Sequence, residues 1–80
     1  MSVDDDLYEP PIEGAAWAEK PTPQLRNGDY IRDSRGERLR VLAAFGVGAT
    51  VPYWYVEAYQ PGEATQRLGG VESYLAEVRP

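Results

Sequence analysis

Residues 50–60 read TVPYWYVEAYQ, and the fold turns on which of these side chains share a face. The run is rich in aromatic and β-branched residues, the types that fit a pleated surface. A strand sends successive side chains to opposite faces. Trp54, Val56 and Ala58 therefore share one face, while Val51, Tyr53, Tyr55, Glu57 and Tyr59 share the other. Glu57 in the middle of the second set directs that face to solvent. Trp54 and Val56 then belong to the core, packed against Val41 and Phe45. Pro52 lacks an N–H, so the first residues of this strand are expected to be unpaired or at an edge.

Upstream, LRNGDYIRD (residues 25–33) opens with the turn signal Asn27-Gly28 and continues as a short strand around Asp29 to Asp33. DSRG (residues 33–36) suits a type I turn, with Asp first and Gly last. ERLRVLAAF (residues 37–45) alternates, placing Leu39, Val41, Ala43 and Phe45 on one face and Arg38, Arg40 and Leu42 on the other. GVGAT is a glycine-rich connection. Downstream, QPGE (residues 60–63) puts Pro61 and Gly62 where a type II turn needs them, and ATQRL returns as a strand. In VESYLAEVRP the period changes: Val71, Tyr74, Leu75 and Val78 fall at i, i+3, i+4 and i+7, one face of a two-turn helix. The expected architecture is mainly β, a small four-strand antiparallel meander closed by a short C-terminal helical segment. The NGDYIRDSRGERLRVL opening, the aromatic third strand and the closing YLAEVRP resemble small SH3-like barrels of bacterial and phage proteins. The resemblance covers residues 27–80 and implies a fold without an activity, because such barrels carry many unrelated functions.

Residues 1–24 read differently. Six acids, Asp4, Asp5, Asp6, Glu9, Glu13 and Glu19, face Lys20 alone, whereas seven arginines balance seven acids in the remainder. The net charge of −5 thus belongs to the N-terminal segment. Pro10, Pro11, Pro21 and Pro23 bias it towards extended geometry. The organisation expected is an acidic, Pro-rich extended arm (residues 1–24) and a barrel-like domain (residues 25–80) that folds without it. The apolar Leu7, Tyr8, Ile12 and Trp17 are anchors that a purely solvating tail does not need, and spaced anchors on an extended chain dock into grooves. Their groove lies on a neighbour or on the arm's own domain.

Cys and His are both absent, which removes disulfides, thiolate and imidazole metal ligands, and the commonest neutral-pH base. Asp4, Asp5 and Asp6 could attract a hard cation, but adjacent carboxylates on an extended tail read as a solvated cluster. FGVGAT does not complete a dinucleotide-binding glycine motif, and Ser34 and Ser73 have no activating partner nearby in sequence. No catalytic residue, cofactor or metal is expected, and the chain reads as a non-enzyme. No run of about eighteen apolar residues predicts a membrane span, and the N-terminus does not resemble a secretory signal. The localisation expected is cytoplasmic, or virion-associated for a phage protein; a single Lys against seven Arg suits a GC-rich bacterial or phage genome.

By alternation Tyr30, Arg32, Arg38 and Arg40 join Tyr53, Tyr55 and Tyr59 on one outward Tyr/Arg surface. Tyr and Arg are enriched where proteins bind partners. Tyrosines on an outer face also pair across strands, so a structural role for the same residues stands beside recognition. A third use is internal, the arm folding back to cover the surface with Tyr8, Ile12 or Trp17. The leading reading is an interaction module whose arm docks onto a protein partner or a second copy, as in a phage accessory protein or an adaptor or inhibitor of a bacterial complex. The competing reading is a nucleic-acid-binding barrel using Arg32, Arg38, Arg40, Tyr53 and Tyr55, against which the neutral body and acidic arm both argue.

Overall fold

The computed structural model describes residues 7–48, 50 and 53–79. Its elements are β1 (Trp17–Pro21), a 3-10 turn (Thr22–Gln24), β2 (Tyr30–Arg32), β3 (Arg38–Val47), β4 (Tyr53–Tyr59), β5 (Gln66–Gly69) and β6 (Ser73–Glu77). All pair antiparallel in one open sheet ordered β1-β6-β2-β3-β4-β5. Strands β2 to β5 form the meander expected from the turn signals. The Gly36 amide donates to the Asp33 carbonyl at 2.9 Å, closing the first turn. Gly62 takes φ +83°, the conformation a type II turn requires at that position. The arguments from Val51 and Pro52, and from Asp4, Asp5 and Asp6, lie outside the described residues.

Asp33 holds its turn with its side chain as well. Its Oδ1 accepts from the Arg35 and Glu37 amides, both at 2.9 Å, and its Oδ2 pairs with the Arg35 guanidinium at 3.2 Å. Burial works to raise the Asp33 pKa, but the Glu37 and Arg35 amides and the Arg35 side chain outweigh it and hold the carboxyl below its ordinary value.

The C-terminal helix is not formed. Residues 73–77 are a strand, inserted between β1 and β2, with Trp17 opposite Glu77 and Ile31 opposite Ala76. Alternation replaces the helical period: Tyr74 and Ala76 are buried, whereas Val71, Leu75 and Val78 are exposed. A two-turn helix gains little by itself, while a strand with neighbours on both sides pairs its backbone through two ladders. The second ladder is supplied by residues 17–21, so the sheet extends into the segment read as an arm.

The core lies on one face of the sheet and joins Leu25, Ile31, Leu39, Val41, Val56, Ala58, Tyr74 and Ala76. Burying each large aliphatic side chain among them contributes about 1.5–3 kcal/mol. Leu25 and Thr22, both 1% exposed, cover this face from the segment leading into β2. Register corrects the reading of β3. Val41 pairs with Ala58 but Ala43 pairs with Glu57, so Leu42 is an extra residue in a β-bulge. Beyond it the alternation inverts: Ala44 packs on the core, and Ala43 and Phe45 face outward. Phe45 is therefore not a neighbour of Trp54 in the core. Trp54 lies across Gly46, half-buried, at the inner edge.

Candidate functional site

The sheet's outer face carries the Tyr/Arg set, and the structure splits it in two. Around β2, the start of β3 and the end of β6 the N-terminal segment folds back over its own domain. Tyr8 packs edge-on to Tyr30 (5.4 Å between ring centres) and Tyr59 (6.1 Å), and its hydroxyl donates to the Arg38 carbonyl at 2.6 Å. The Glu9 amide donates to the Tyr30 hydroxyl at 2.6 Å, and Arg38 Nη1 donates to the Glu9 carbonyl at 2.6 Å. Under this cover Arg38 sits against the Tyr30 ring at 3.8 Å and grips Glu77 with two hydrogen bonds of 3.0 Å, Nε to Oε2 and Nη2 to Oε1. Burial works to lower the Arg38 pKa, but the Glu77 carboxylate and, after it, Tyr8 more than compensate and lift it above the ordinary value. Arg79 adds an ion pair to Glu77 at 3.2 Å and another to Glu9.

Three residues expected on an accessible surface are consequently sealed: Tyr30 is 1% exposed, Tyr59 2% and Arg38 7%. They do point to the outer face, as alternation requires, but a second layer of chain lies on it. Arg32 is half-buried beside this seal, its guanidinium 4.3 Å from the Trp17 ring and bonded to the Gly36 carbonyl. Arg40 Nη1 is buried without a partner among the described residues. Of the four arm anchors, Tyr8 and Trp17 pack on the chain's own sheet, whereas Leu7 and Ile12 remain exposed.

The other half of the same face is uncovered. Phe45 and Tyr55 stack with ring centres 5.7 Å apart, and Tyr53 meets Tyr55 edge-on at 4.8 Å. Arg67 lies 5.5 Å from the Phe45 ring centre and pairs with Glu57 at 3.0 Å. Tyr53 is 48% exposed and Val47 beside it 47%. What lets the two tyrosines lie down on the sheet is the absence of side chains beneath them. A Cβ at Gly69 would stand 2.9 Å from the Tyr55 ring, and one at Gly70 would stand 2.5 Å from the Tyr53 hydroxyl oxygen. The sequence places Phe45 in the core by simple alternation and gives Arg67 and this glycine pair no site role; Gly69-Gly70 directly after a strand, opposite an aromatic strand, was the available signal.

Tyr53 also borders a cleft of about 320 Å3 at the sheet's end, lined by Thr22, Pro23, Trp54, Gly70, Val71 and Glu72 besides itself. Elsewhere, among the described residues, no group of three or more His, Cys, Asp or Glu is placed to hold a metal ion. No helix among them is long and apolar enough to cross a membrane. Comparison with protein-family models, with curated proteins and with solved structures finds no match to the chain.

Proposed function

We propose that the chain is a non-enzymatic protein-interaction module and that it binds through the uncovered half of its outer face. The observation that carries this reading is the Phe45–Tyr55–Tyr53 array with Arg67 beside it, the aromatic and arginine composition found at energetically important contacts. The array is laid flat on Gly69 and Gly70, so it is positioned before any partner arrives and loses little side-chain freedom on binding. The small-barrel reading is supported by strand order, since the last strand returns beside the first strand of the meander. The N-terminal segment serves this module by sealing the other half, which confines contact to one patch.

Nucleic-acid binding has less support. It would draw on Arg38, but that charge is already neutralised by Glu77, and the chain's net charge of −5 opposes phosphate. The test is association measured by light scattering and by affinity capture, comparing the wild type with Tyr55→Ser, Arg67→Glu and Gly69→Ala. An association lost in these three and retained in Leu75→Ser, an exposed position on β6 that β2 and β3 separate from β4, supports the reading. Associations that ignore the three face variants would overturn it, and binding to oligonucleotides that falls steeply with salt would favour the competitor.

A further inference from the structure

We propose that the cleft beside the 3-10 turn receives one cationic side chain, an arginine or lysine, presented by a basic segment of a protein partner. This rests on the reading of the chain as an interaction module and names the chemistry of what it takes. The cleft, at about 320 Å3, lies at the small end of the range of ligand pockets, which runs from about 300 to 1,000 Å3. Its lining residues include two aromatics, Trp54 and Tyr53, two short apolar residues, Pro23 and Val71, and one acid, Glu72.

The indole and the backbone rims of the cleft are held in place. The Trp54 indole lies so close over Gly46 that an added Cβ would meet the ring at 3.1 Å. The Thr22 hydroxyl donates to the Val71 carbonyl at 2.7 Å and the Thr22 amide to the Glu72 carbonyl at 2.9 Å, tying the two rims together. Glu72 is exposed, and among the described residues its carboxylate meets no cation. The nearby guanidinium of Arg26 donates instead to the Pro23 and Leu25 carbonyls.

That combination selects its ligand. The face of an indole or phenol ring attracts a cation, tryptophan most strongly, and a carboxylate at the rim supplies the counter-charge. Arginine and lysine also carry an aliphatic stem that lies comfortably against Pro23 and Val71 while the head reaches the rim. A neutral apolar group would fill the same space but would strip water from Glu72 without replacing it. An anionic group would be repelled. The overall charge of −5 draws basic partners towards the protein before contact.

The experiment is a titration followed by 1H–15N NMR, with the Trp54 indole N–H as the principal reporter. The probes are Nα-acetyl-arginine amide, Nα-acetyl-lysine amide and the uncharged isostere Nα-acetyl-norleucine amide, at millimolar concentration. The two cationic probes are expected to shift Trp54, Tyr53, Gly70 and Glu72 together, and to bind about three- to tenfold more weakly to Glu72→Gln. Glu72 is exposed, so this variant leaves the fold intact, which an unchanged spectrum elsewhere verifies. Equal binding of the norleucine amide, indifference to Glu72→Gln, shifts scattered over other carboxylates, or no shift at all would each overturn the proposal. These outcomes are separate from those of the Tyr55, Arg67 and Gly69 variants: partner capture that survives Glu72→Gln but not Tyr55→Ser would leave the module standing without its cation pocket.

Discussion

Tyr59 and Tyr53 occupy the same strand, point to the same face and are the same residue type, yet one is 2% exposed and the other 48%. The difference is made by Tyr8, which lies over one end of the face and not the other. Where the N-terminal segment covers the sheet, tyrosine and arginine behave as core: they are packed, hydrogen-bonded and charge-compensated. Where it stops, the same residue types form a shaped, accessible patch. Composition and alternation set which side a residue points to, and a remote segment sets whether that side is a surface.

The sharpest way to break the contrast is to attack the covered half. Glu77→Ala leaves the Arg38 guanidinium buried without its carboxylate, and we expect a loss of about 3–5 kcal/mol in urea unfolding. The double variant Arg38→Met, Glu77→Leu should recover most of that loss, because the uncompensated charge is gone. Tyr8→Ala removes two ring contacts and the hydrogen bond to Arg38, for an expected loss of about 2 kcal/mol; Tyr8→Phe removes the hydrogen bond alone and should cost about 1 kcal/mol. Deleting residues 1–24 takes away β1 and the buried Thr22 as well, so the remainder is expected to lose its cooperative unfolding transition.

A smaller effect comes from Asp33, whose side chain is 5% exposed. Because its folded pKa lies below its unfolded value, its contribution is fully present above the unfolded pKa of about 3.9 and is lost as pH falls through the folded pKa. Asp33→Asn should cost about 1 kcal/mol at neutral pH and flatten the acid limb of the stability profile below about pH 4. The least effect is expected in the open half. Arg67→Ala breaks an exposed ion pair with Glu57 and should change stability by less than about 0.5 kcal/mol. A loss there comparable to that of Tyr8→Ala would dissolve the distinction between the two halves.

The two turns at Asp33–Gly36 and Gln60–Glu63 were legible because their chemistry is local. Strands β2 to β5 followed from them. The bulge was not legible: Leu42, Ala43 and Ala44 are all apolar, so no polar residue marks where the alternation slips. Residues 71–78 satisfied a helical spacing and a strand spacing at once, and the deciding partner, Trp17–Pro21, lies at the other end of the chain. The Tyr/Arg surface failed in the same way at three positions. The facing of Tyr30, Arg38 and Tyr59 was readable, but the pairing of Arg38 with Glu77 and the placement of Tyr8 are long-range facts with no local signature. The aromatic rows at Tyr53 and Tyr55 were readable, whereas Phe45 was misplaced by the bulge.

The position of β6 between β1 and β2 has a consequence for how the molecule is made. On a ribosome, β2 to β5 can zip together hairpin by hairpin, but β1 waits for a partner that is translated after all of them. Until residues 73–77 emerge, both β1 and the outer side of β2 are unpaired edges, open to intermolecular ladders. Closing the sheet therefore requires a loop closure from residues 17–21 to 73–77, which slows it, and nonsense mutations upstream of Ser73 should yield aggregating rather than merely weakened protein.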